Sequence, residues 1–119
     1  MSVNDKSREG GKRRRSGEFV RMSVRVPDGL LARVREWADG RGVSMEAAVD
    51  HLLMEGSQNV RRASEFFDSP GGKASSFRVD ATVAAHLEEF AKREGVTKSQ
   101  AFRFSLAMGL LVESSRHRK

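Results

Sequence analysis

Shifting the chain by 53 residues lays residues 22–56 over 75–109, and this internal repeat limits what the sequence can fold into. Ser23, Arg25, Val26, Ala32, Glu36, Ala38, Gly42, Val43, Ala48, Leu53 and Gly56 recur as identical residues. Small residues match cheaply, so the identities weigh less than the fact that caps, turn glycines and apolar stripes fall in register. Each copy opens with a strictly alternating stretch. In Arg21-Met22-Ser23-Val24-Arg25-Val26-Pro27, the apolar Met22, Val24 and Val26 share one face and Arg21, Ser23 and Arg25 the other. That is the period of a half-buried strand. In Ala74-Ser75-Ser76-Phe77-Arg78-Val79-Asp80, Phe77 and Val79 stand for Val24 and Val26, and Ser76 and Arg78 stand for Ser23 and Arg25.

Behind each strand the period changes to that of a helix. Pro27, pre-shaped for a first helical turn, and Asp28, suited to the positive end of the dipole, open a helix with Leu30, Val34, Trp37 and Ala38 on one stripe. It ends near Asp39-Gly40, and Gly42 supplies positive φ in the connection. Ser44 caps a second helix that buries Ala48, Val49, Leu52 and Leu53 and is expected to end at Gly56. In the second copy Asp80 caps a helix carrying Val83, Leu87, Phe90 and Ala91, and Glu94-Gly95-Val96 makes the turn. Thr97-Lys98-Ser99-Gln100 is a capping box opening a helix that buries Ala101, Phe102, Leu106 and Leu110 and runs to about Ser115.

One such unit cannot stand alone. A segment the length of 22–56 is too small for a self-sufficient core, and its strand would leave backbone groups unpaired. Joining two units removes both defects, because the strands pair as an antiparallel ribbon and four helices enclose one core. The linker keeps the second unit at an effective concentration of order millimolar, so pairing within one chain is the economical solution. The expected fold class is mainly α with a small β ribbon (α+β), two units pairing into an intramolecular pseudo-dimer. The segments are a disordered basic arm (1–18), a first unit (19–56), a linker (57–72), a second unit (73–115) and a basic tail (116–119). Ser69-Pro70-Gly71-Gly72 marks the linker, and Phe66-Phe67 is expected to pack back on an apolar patch.

Charge is unevenly spread. The net charge is +6, of which residues 1–18 contribute +3 and Arg116, Arg118 and Lys119 another +3, so residues 19–115 are neutral as a whole. A basic chain points to a polyanionic partner, but the folded part must segregate its charge to bind one. The ribbon segments 20–26 and 73–79 do so, holding Arg21, Arg25, Lys73 and Arg78 and no acid. The absence of cysteine excludes disulfides and thiolate metal sites and fits a cytoplasmic setting. No apolar run is long enough to span a membrane, and the basic N-terminus lacks the apolar region of a secretory signal.

Strand, helix, Gly-containing turn and capped helix, twice over, resemble the ribbon-helix-helix (Arc/MetJ-like) DNA-binding family. The resemblance covers about residues 20–56 and 73–112. It is closest in Gly95-Val96-Thr97-Lys98-Ser99-Gln100-Ala101-Phe102-Arg103; the first copy departs from it with Ala47 at the position of Gln100 and Asp50 at that of Arg103. In this family the outward ribbon positions read bases in the major groove. The resemblance thus implies Arg21, Ser23 and Arg25 in one strand and Ala74, Ser76 and Arg78 in the other. Arg25 and Arg78 suit bidentate contacts to guanine O6 and N7, and Ala74 suits contact with a thymine methyl. Phosphate contacts are expected from Lys73 and from the second-helix starts, Ser44 and Met45 in one copy, Thr97, Lys98 and Ser99 in the other.

The expected function is sequence-specific binding of double-stranded DNA, with transcriptional repression by occupancy as the role. The same chemistry would serve accessory DNA binding in plasmid transfer or partition. Readings from other classes are a protein oligomerisation module and nonspecific nucleic-acid packaging by the basic tails. Self-association on adjacent DNA sites is compatible with all the DNA-binding readings. His51, His86 and His117 are far apart in sequence and suggest no metal site; no cofactor loop or nucleophile motif is present, and no enzymatic activity or membrane partner is expected.

Overall fold

The computed structural model describes residues 17–60 and 73–117. Residues 1–16 of the expected arm, residues 61–72 with Phe66-Phe67, and residues 118–119 lie outside the described residues. The element order is β1 (Phe19–Arg25), α1 (Asp28–Arg41), α2 (Met45–Asn59), β2 (Ala74–Asp80), α3 (Ala81–Glu94) and α4 (Lys98–His117). The described residues are thus mostly helical, with one small antiparallel sheet, an α+β arrangement.

The strands pair with each other, Phe19 opposite Asp80 through to Arg25 opposite Ala74. Ser23 lies opposite Ser76, its own counterpart in the repeat. On the inner face Met22, Val24 and Val79 are buried, and Val26 continues the buried row past the end of β1. They join Val34, Val49, Leu52, Leu53, Val83, Leu87, Phe102 and Leu106 in one core drawn from both halves of the chain. Phe77 fills the inner face of β2 by packing against Phe102, with ring centroids 5.0 Å apart.

Local signals fix several element ends near where they were expected, although α1 runs on past Asp39-Gly40 to Arg41. Gly42 and Gly95 take φ of 69° and 66°, closing α1 and α3 with bonds from Val43 N–H to the Ala38 carbonyl and from Val96 N–H to the Ala91 carbonyl. The Ser44 hydroxyl accepts from Ala47 N–H at 3.1 Å. In the capping box, Gln100 N–H donates to Thr97 Oγ1 at 3.1 Å and Thr97 N–H to Gln100 Oε1 at 2.9 Å. Pro27 sits one position earlier than expected: it is the extended N-cap of α1, and its carbonyl accepts from Leu30 and Leu31.

The second helix does not end at Gly56. It continues through Asn59 to a C-cap at Val60, whose N–H bonds the Gly56 carbonyl. Gly56 instead permits a close helix crossing, because a Cβ there would overlap the backbone carbonyl of Ser105 in α4. Its repeat counterpart Gly109 meets the Leu52 carbonyl of α2 in the same way, and Leu52 and Ser105 are themselves counterparts. A glycine that reads locally as a stop is here a contact between backbones. Arg116, expected in the tail, also belongs to α4.

The crossing makes a specific demand on these two positions. Gly56→Ala or Gly109→Ala is expected to cost about 3 kcal/mol, because the obstacle is backbone and cannot rotate away. Gly40→Ala, in a helix with open space around it, is expected to stabilise by about 0.5 kcal/mol. Urea unfolding midpoints of the three variants measure the contrast.

Candidate nucleic-acid interface

The outward face of the ribbon is built by the pairing register. In β1, Arg21, Ser23 and Arg25 are exposed, and in β2 so are Ala74, Ser76 and Arg78. Opposite residues of an antiparallel pair share a face, which gives three cross-strand rows: Arg21 with Arg78, Ser23 with Ser76, and Arg25 with Ala74. All six positions singled out for base contact therefore come together on one solvent-facing strip. Lys73, just before β2, is exposed as well.

The strip is not symmetric. The repeat relates Arg25 to Arg78, but it relates Arg21 to Ala74, so one row holds two arginines and the opposite row one. Phe19 contributes at the two-arginine end: the Arg78 guanidinium lies 4.6 Å from its ring centroid, a cation–π contact that orients the side chain. Phe19 precedes the alternating stretch, so alternation assigns it no role.

Each strand is tethered to the second helix of the other copy. The Arg103 side chain, buried in α4, donates from Nη1 to the Arg25 carbonyl at 3.0 Å. The Ser99 hydroxyl accepts from Arg25 N–H at 3.4 Å. At the repeat position of Arg103 stands Asp50, buried in α2, whose Oδ1 accepts from Asp80 N–H at 3.0 Å. The difference in chemistry has a local cause. Asp80 has an amide hydrogen to donate, whereas its counterpart Pro27 has none, so an acceptor serves β2 and a donor reaching the Arg25 carbonyl, two residues before Pro27, serves β1. Arg103 thus points to the ribbon backbone. Asp80 also caps α3 through Thr82 N–H at 2.8 Å and accepts from Gly17 N–H at 3.4 Å, while the Glu18 carbonyl accepts from Ala81 N–H at 2.8 Å. The last two residues of the expected arm are therefore bonded to Asp80 and Ala81, where β2 passes into α3.

The two second-helix starts flank the ribbon ends. Ser44, Thr97 and Lys98 are exposed, and Ser99 is half-buried. The Met45 side chain packs against the core, so any anion contact there falls to its backbone N–H. A helix start favours anions through its free N–H groups and dipole.

Away from the ribbon, α1, α2 and α4 are joined by an ionic cluster that sequence spacing could not reveal. Glu113, with its side chain 4% exposed, accepts from Arg41 at 3.2 Å, from Arg116 at 3.1 Å and pairs with His51 Nε2 at 2.8 Å. Arg116 also reaches Glu55 at 3.2 Å. The His51 ring stacks on Trp37 at 5.4 Å, and Arg41 lies over the same indole. Burial pushes the Glu113 carboxyl up, but the His51 hydrogen bond and the electrostatic pull of His51, Arg116 and Arg41 outweigh it and hold its pKa below the usual value. Ligand atoms of His51, Glu55 and Glu113 lie within 4.8 Å of one another, a spacing a metal ion could bridge; here both carboxylates are engaged by guanidinium groups. Among the described residues, no helix is long and apolar enough to cross a membrane.

No family model matches the chain, and neither curated proteins nor solved structures give a match.

The two strand tethers are not interchangeable. Exchanging them as Asp50→Arg with Arg103→Asp would set donor against the Asp80 N–H and acceptor against the Arg25 carbonyl. Leaving such buried groups unsatisfied costs about 1–3 kcal/mol each. The double variant is expected to be less stable than either single variant, with faster amide hydrogen exchange in the ribbon. Restoration of wild-type stability by the double exchange would contradict this reading.

Proposed function

We propose that this protein binds double-stranded DNA in a sequence-specific manner, as a pseudo-dimer of two ribbon-helix-helix units within one chain. The observation that carries the proposal is the outward strip of Arg21, Ser23, Arg25, Ala74, Ser76 and Arg78 on a ribbon that is two strands wide among the described residues. The B-DNA major groove admits a two-stranded ribbon, and side chains standing on its outer face reach base edges. Arg25 and Arg78 are assigned to guanine O6 and N7, Ser23 and Ser76 to hydrogen bonds at the centre, and Ala74 to a thymine methyl. The register supports the pseudo-dimer, because Ser23 and Ser76 are paired repeat counterparts and Gly56 and Gly109 meet the opposite helix reciprocally.

Lys73 and the helix starts at Ser44-Met45 and Thr97-Lys98-Ser99 are assigned to phosphates. They set register on the duplex while the ribbon supplies the sequence preference. Occupancy of an operator, and hence repression, is the simplest output of a protein with these features. Accessory DNA binding on a replicon would use the same surface.

Selection from a random duplex pool tests the proposal, followed by a salt titration on the recovered sequence. The expected outcome is a defined motif and affinity that falls steeply with salt. Arg25→Ala and Arg78→Ala should each cost about 1–3 kcal/mol on that motif and relax preference at one position. Binding without a motif would favour nonspecific packaging, and absence of binding would favour a protein-interaction module.

A further inference from the structure

The six outward positions of the ribbon include no acid, yet the fold brings one to the base-reading strip. Glu46, in the first turn of α2, places Oε2 3.6 Å from Arg78 Nη1. Arg21, Arg78 and Glu46 line one open cleft of about 330 Å³ between α2 and the ribbon. Both partners of the ion pair are about half exposed, at 55% and 51%, so the pair is weak and opens readily. In the free protein the Glu46 carboxylate offsets the facing guanidinium groups of Arg21 and Arg78. Against a duplex the phosphates do that, and the Glu46 charge is left beside them.

The other end of the ribbon is built differently. The repeat counterpart of Glu46 is Ser99, and that of Met45 is Lys98. The two helix starts therefore read Ser44-Met45-Glu46 and Thr97-Lys98-Ser99, with charges of −1 and +1. Two elementary charges separate surfaces that would meet equivalent phosphates.

We propose that Glu46 is a specificity-determining residue that makes DNA recognition polar. It competes with the duplex for Arg78 and weakens phosphate docking at the α2 start, so the half-site under Arg25 and Lys98 dominates binding. This proposal rests on the DNA-binding reading above. It adds that the paired units are unequal readers by charge, and that the inequality resides in one removable carboxylate.

The test uses the full chain, the duplex recovered by selection, and that duplex with single-base substitutions in each half. Arg25→Ala and Arg78→Ala identify which half each arginine occupies. In the wild type, substitutions in the Arg25 half should cost more than those in the Arg78 half. Glu46→Ser installs the residue of the other copy, and Glu46→Gln removes only the charge. Either should tighten binding about three- to tenfold, with base substitutions in the Arg78 half becoming as costly as those in the other. Ser99→Glu should lose affinity by a similar factor. Unchanged or weaker binding by both Glu46 variants, with the halves as unequal as before, would overturn the proposal. So would a lowered melting temperature with no gain in affinity, the signature of a carboxylate that only steadies the free ribbon. Failure of the DNA-binding reading looks different: no motif is recovered for the wild type or for any variant.

Discussion

The structure depends on the pairing of two seven-residue strands, each the other's only sheet partner among the described residues. Every inward or outward assignment follows from that one register. A slip of one strand by a single residue would turn its inward side chains, Val24 in β1 or Phe77 and Val79 in β2, toward solvent and its arginines toward the core. Several elements oppose such a slip. Val24 and Val79 are almost fully buried, Arg103 holds the Arg25 carbonyl, and Asp50 holds the Asp80 amide. Pairing also removes the weakness of each isolated unit. The strands satisfy each other's backbone groups, and helices from both copies cover the same apolar face.

The helix pair beneath the ribbon imposes the second constraint. At Gly56 and Gly109 the backbones of α2 and α4 approach so closely that no side chain fits between them. This proximity lets the tethers cross from each second helix to the strand of the other copy. It also brings His51 and Glu55 of α2 within reach of Glu113 and Arg116 of α4. The glycines, the tethers and the ionic cluster therefore belong to one crossing, with Arg41 adding α1 to it.

What could be read from the sequence was what acts within a few residues. Alternation placed the exposed and buried ribbon faces, hydroxyl and capping-box chemistry started α2 and α4, and Gly42 and Gly95 ended α1 and α3. The repeat then indicated which strands would meet. Contacts between the copies were not legible, since no local rule relates residues so far apart. Gly56 read as a helix end because its reason lies in Ser105. Asp50 read as a departure from a pattern, although the missing N–H of Pro27 explains why its position differs from Arg103. The role of Glu46 is not legible either, because its first-turn place in α2 says nothing about Arg78.

The resulting surface is an exposed strip with more positive charge at one end of the ribbon and a more favourable helix start at the other. Under the proposed function this strip lies in the major groove with Arg25 and Arg78 against guanine N7. Methylation interference on the selected duplex tests it most directly, since dimethyl sulfate marks guanine N7 in the major groove and adenine N3 in the minor groove. Methylation at particular guanines is expected to block binding, and Arg25→Ala and Arg78→Ala are each expected to make one of those positions indifferent. Interference confined to adenine N3, or none at any guanine of the motif, would contradict it.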